Sequence, residues 1–167
     1  MLTSIIKLLK ALNSEQSPGQ LAIAISLAAI LGLTPLYSLH NVLVIFIALS
    51  FRVNLSVLLI SYPIFALLGY LFSNVFDSIG ISLLQNSNLL DFWQGFFNTL
   101  IGRWSNFYYS GVIGSLTASI IVAILLYPLS KIIINLYREK FLVKIEKYQI
   151  VKVLKASSFW KLYEQSK

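Results

Sequence analysis

The sequence predicts an all-α integral membrane protein, and three observations carry that prediction. Of 167 residues, 57% are hydrophobic and only 11% charged, where ordinary soluble domains run to about 25% charged. The mean hydropathy is +0.80. Charge is also unevenly placed. Residues 18–130 hold Arg52, Asp77, Asp91 and Arg103, which cancel. Residues 131–167 hold Lys131, Arg138, Lys140, Lys144, Lys147, Lys152, Lys155, Lys161 and Lys167 against Glu139, Glu146 and Glu164, for +6. Cysteine is absent, which excludes disulfides, thiolate metal sites and cysteine nucleophiles. The basic tail is read as a membrane flank, with no nucleic-acid partner, because Lys and Arg beside apolar helices stay cytoplasmic.

Residues 1–16 form the first unit, an N-terminal interfacial amphipathic helix. Leu2, Ile5, Ile6, Leu9 and Leu12 share one face, with Lys7 and Lys10 elsewhere on the wheel. A cleaved secretory signal matches poorly, since lysines are scattered through the apolar part. The second unit is a membrane domain over 17–130. Ser17-Pro18 opens a helix, Ser as the cap and Pro in the first turn, where no donor is needed. The uncharged run that follows is interrupted at Thr34-Pro35, and proline disfavours helix in the residue before it. The result is a Pro-hinged helical hairpin, with helices near 18–33 and 38–51. At 1.5 Å per residue these reach about 24 and 21 Å, short of a hydrocarbon core of about 30 Å.

Val53–Phe76 is uncharged and long enough to cross, with a kink expected at Pro63. Residues 77–104 read as a polar connection. At its end Phe92, Trp93, Phe96, Phe97, Trp104, Phe107, Tyr108 and Tyr109 cluster as rings do at headgroup level. Trp104–Ser130 is the second firm transmembrane helix. The third unit, 131–167, is a basic cytoplasmic tail containing a helix with Lys140, Lys144 and Lys147 on one face. The lysines place both termini in the cytoplasm of a multi-pass protein. Two topologies satisfy this: residues 18–51 span twice, or they form a re-entrant hairpin. Both leave Arg52 inside and 77–104 outside.

Catalysis has little material here. One His stands alone, and no second His or nearby acid completes a metal site. No cofactor and no catalytic residues are therefore expected. Three groups of residues carry other roles. The polar break Thr34, Pro35, Ser38, His40 and Asn41 is either an ordinary loop or a polar site at membrane depth, which survives only when buried in protein or lining water. Arg52 and Asn54 are lipid-headgroup candidates; an arginine at a helix junction sits near phosphate, where it either binds it bidentately or serves only as a positive-inside anchor. Gly111, Ser115 and Ser119, with Gly114 and Ala118, recur at every fourth position and read as helix packing, matched by Ala22 and Ser26.

Leu31-Gly32-Leu33-Thr34-Pro35, Leu39-His40-Asn41 and Phe51-Arg52-Val53-Asn54 resemble a family of small uncharacterised bacterial inner-membrane proteins built on a domain of unknown function. The opening Leu8–Pro18, with Ile145-Glu146-Lys147 and Leu154-Lys155-Ala156-Ser157, resembles one subgroup, often encoded beside a large AsmA-like envelope protein. Relatives of the core domain are sometimes joined to glycosyltransferases. Tyr62-Pro63 stands where the broader family has Asn-Pro. Neither the AsmA-like neighbour nor the glycosyltransferase association assigns an activity. The absence of catalytic groups, the small-residue packing faces and the resemblance together point to a non-enzymatic inner-membrane accessory protein for a partner in lipid or envelope transport, with membrane lipids, including anionic phospholipid, and the AsmA-like protein as partners. The alternative is a small oligomeric transporter or channel with the Thr34–Asn41 break lining its pathway.

Overall fold

The computed structural model describes residues 17–51 and 53–142, with side chains as far as Glu139. The expected interfacial helix at 1–16, Arg52, and the tail beyond residue 142 lie outside the described residues. Within them every regular element is helical: α1 (Pro18–Leu33), α2 (Leu39–Ser50), α3 (Leu55–Leu71), α4 (Ser73–Leu84), α5 (Leu90–Phe97), α6 (Leu100–Trp104) and α7 (Ser110–Leu136). A short 3₁₀ turn (Ser87–Leu89) precedes α5, and a π turn (Tyr137–Leu142) continues α7.

α1 begins where the sequence punctuates it. Ser17 is extended and its Oγ accepts from Gln20 N–H at 3.3 Å, while Ser17 N–H donates to Gln20 Oε1 at 3.1 Å, closing a capping box. The helix is apolar on all sides, the pattern of a helix buried all round, and Leu21, Ala22, Ala24, Ala28 and Ala29 are wholly enclosed. It packs against both α3 and α7. Its start lies by Tyr127 of α7 and its end by Gly111 and Ser115, so the two helices run antiparallel. α3 runs with α1, Gly69 resting on Gly32 and Leu33 near the C-terminal ends of both. α2 runs back between them and is peripheral, burying only Asn41, Val44 and Ala48.

The segment expected to cross at Val53–Phe76 is not one straight helix. α3 runs through Pro63 and stops at Leu71; at Phe72 the chain turns by 69° into α4. The cause is tertiary. Phe76 of α4 is buried, and Gly80 and Gly114 let the backbones of α4 and α7 touch: a Cβ on Gly80 would strike the Ser110 carbonyl, and one on Gly114 the Phe76 carbonyl. The connection drawn at 77–104 is therefore mostly helix, since α4 extends to Leu84 and is followed by α5 and α6. The last span is also shifted. It starts at Ser110 rather than Trp104, after a turn in which Asn106 takes the left-handed conformation (φ 60°) that Asn tolerates better than most residues, and it runs past the boundary drawn at residue 130. Among the described residues one helix, Ser110–Glu139, is by itself long and apolar enough to cross a membrane; the other expected span reaches that length only as the α3–α4 pair, across its bend.

Candidate functional site

The polar break is a knot tied mostly to itself. Asn41, in the first turn of α2 and 1% exposed, donates from Nδ2 to the carbonyls of Pro35 (2.9 Å) and Leu36 (3.3 Å). Those two acceptors fix the amide orientation and turn Oδ1 toward Thr34 Oγ1, 3.0 Å away. Thr34 Oγ1 also lies 2.7 Å from the Ile30 carbonyl, so one hydroxyl proton serves two acceptors. Ser38 is buried and donates to the Pro35 carbonyl at 2.7 Å. Proline ends α1, and the asparagine re-satisfies the carbonyls left by the turn, as buried backbone requires. His40 does not join them. Its ring packs 6.0 Å from that of Phe107, and neither buried ring nitrogen has a hydrogen-bond partner among the described residues.

That contact puts the break at the aromatic end of the molecule. Phe107 stacks on Phe96 (5.9 Å), Phe96 meets Phe92, Trp93 and Phe97, and Trp93 Nε1 donates to the Leu83 carbonyl at 3.0 Å, pinning α5 to the end of α4. Trp104, Tyr108 and Tyr109 are exposed beside them. At this same end a recess of about 310 Å³ opens between the end of α1, the bend after α3 and the start of α7. Thr34, Pro35, Tyr62, Tyr70, Asp77 and Ser115 are among its lining residues.

Asp77 is a lining residue that sequence reasoning missed, having been read as part of a polar connection. It sits on α4, where its Oδ1 accepts from Ser110 Oγ at 2.9 Å. The carboxylate thus stands at the α7 N-terminus, which Tyr109 leaves without a side-chain cap, a position that favours negative charge. The readable signal was the spacing Ser73, Phe76, Asp77, Gly80, one face of a helix.

Of the packing stripe, Gly114, Ser115 and Ser119 are buried and Ala118 packs on Ala29 and Leu33. A Cβ on Gly111 would lie 3.0 Å from Asp77 Oδ1, so Gly111 belongs to the recess as well as to the stripe. Ala22 and Ser26 are buried on α1. Asn54 caps α3, its Oδ1 accepting from Val57 N–H at 3.0 Å, and the break and Asn54 fall at opposite ends of α2. No group of His, Asp and Glu among the described residues could hold a metal ion.

Among the described residues, fold and site define an all-helical protein with one candidate membrane span and a single-carboxylate recess beside an aromatic cluster. The chain belongs to a bacterial family, described as "Uncharacterized protein conserved in bacteria (DUF2062)", whose family model matches residues 6–142. No curated protein and no solved structure matches it.

Proposed function

We propose that this protein is a non-enzymatic accessory of the bacterial inner membrane, engaging phospholipid headgroups on behalf of a partner in lipid or envelope transport. The observation that carries this reading is the place of the recess: a polar pocket at the aromatic end of an apolar bundle. Aromatic side chains gather at headgroup depth, where headgroups are the abundant polar ligands. At about 310 Å³ the recess lies near the low end of small-ligand sites, room for a headgroup and not for a whole lipid. In this arrangement α1, α2, the α3–α4 pair and α7 are all embedded in a multi-pass protein. Lys131 and Arg138 mark the cytoplasmic end of α7, and the recess faces the opposite leaflet. Arg52 and the basic tail attract anionic lipid on the cytoplasmic side. The pathway reading is weaker, because Ser38 and Asn41 spend their polar groups on carbonyls within the break.

Native mass spectrometry of the full chain, released from mild detergent, tests this reading. Retained phospholipid is expected; a lipid-free spectrum under conditions that preserve lipid on a known lipid-binding membrane protein overturns it. The orientation is read separately, and the cysteine-free sequence makes single-cysteine labelling direct. Asn88→Cys should react with an impermeant reagent outside intact cells and Lys167→Cys should not. The reverse pattern inverts the topology.

A further inference from the structure

The chemistry of the recess selects its ligand. Asp77 is the only carboxylate lining it, and no Lys, Arg or His is found among its lining residues. One Asp77 oxygen is engaged by Ser110; the other has no hydrogen-bond partner among the described residues. Two helices, α1 and α3, end at the recess, and neither carries a basic residue in its last turn. Helix C-termini present partial negative charge, and in broken membrane helices such ends coordinate cations. The α4 and α7 N-termini offset those two ends, which leaves the carboxylate without a cationic partner in the lining. Tyr62 and Tyr70 add ring faces, which attract cations. A lone carboxylate suits a monovalent hydrogen-bond donor better than a divalent metal, which gathers six or more oxygens.

We infer that the recess binds a primary ammonium group with Asp77 as its counter-ion, and that the ammonium belongs to an amine-bearing phospholipid headgroup. This deepens the headgroup reading and rests on it. Asp77 holds the charge, and the phosphate stays toward the open side, where Pro35, Tyr70 and Ser73 are exposed. An anionic headgroup without an amine meets the carboxylate and is repelled.

The test places the full chain in nanodiscs made from equal amounts of phosphatidylethanolamine and phosphatidylglycerol and reads the lipid retained by native mass spectrometry. Wild type should favour phosphatidylethanolamine about tenfold, as expected for a charge-assisted hydrogen bond. Asp77→Asn keeps an oxygen for Ser110 and should erase the preference; Asp91→Asn, outside the recess, should leave it intact. If Asp77→Asn does not fold, Ser73→Lys decides: at this exposed lining position a tethered ammonium should displace the lipid amine. Retention in the proportions of the mixture, or a preference that survives Asp77→Asn or Ser73→Lys, overturns the inference while leaving the headgroup reading in place. No retained lipid in any mixture overturns the headgroup reading itself. Soluble ethanolamine supplies the last arm: loss of bound phosphatidylethanolamine at equal concentration would overturn the lipid source and assign the site to a free amine. Indifference to it supports the headgroup.

Discussion

α1 and α2 come from one uncharged run and differ little in apolar content, yet they occupy opposite extremes of the bundle. α1 is enclosed by α3 and α7. α2 turns Val42, Leu43, Ile45, Phe46 and Leu49 outward and keeps only a stripe of Asn41, Val44 and Ala48 inside. Side-chain size separates them. α1 carries Ala22, Ala24, Ser26, Ala28, Ala29 and Gly32, whereas α2 is mostly Val, Leu, Ile and Phe. In the membrane arrangement proposed above, hydrocarbon is as good a neighbour as leucine, so close approach of backbones rather than apolarity would decide which helix is central. Both are strongly apolar, and residue volume tells them apart.

The comparison can be broken most severely at Gly32. A Cβ there would lie 2.6 Å from Phe65 Cβ and 2.8 Å from the Ala66 amide nitrogen and the Tyr62 carbonyl, so α1 and α3 must separate. Gly32→Leu should cost about 3 kcal/mol or more and abolish a monodisperse peak in detergent. A normal peak with unchanged thermal stability would remove α1 from the centre. The next effect is at the hinge. Asn41→Ala leaves the Pro35 and Leu36 carbonyls without the amide and should cost about 1–3 kcal/mol. Asn41→Asp should be worse, because an oxygen then faces two carbonyls and a charge is buried. Thermal unfolding that ranked Asp above Ala would show that the knot does not hold α2. Val44→Ala, on the buried stripe of α2, should cost about 1 kcal/mol. The smallest effect belongs to the outer face: Phe46→Ala should change stability by no more than about 0.5 kcal/mol. A large loss there would mean that α2 has a permanent protein neighbour, which co-purification at matched expression would reveal.

Helix limits were legible where the sequence punctuates sharply. Ser17-Pro18 and Thr34-Pro35 bound α1 at the residues expected, and α2 differs by a residue at each end. What the break does with its polar groups was not legible, because it depends on Asn41 reaching back across seven residues. The bend at Phe72 was hidden for a different reason. No proline or glycine stands at the turn itself, and the contacts that hold it come from Ser110 and Gly114 far along the chain. Asp77 was misplaced with it: in a polar connection outside the membrane a carboxylate is a solvated charge, whereas on α4 it faces the start of α7.

That same bend makes the order of synthesis matter. When residues 55–84 leave the ribosome, α7 does not yet exist, so Gly80 has nothing to rest on. The segment at that moment is a nearly continuous apolar stretch that passes for one long crossing. Its second half can fold aside only once Ser110–Gly114 arrives to receive it. A chain truncated before Ser110 should therefore insert with α3 and α4 in line, and a glycosylation acceptor engineered near Asn86 should be modified to a different extent in the truncated and complete chains. Equal modification would mean that the turn at Phe72 is written locally after all.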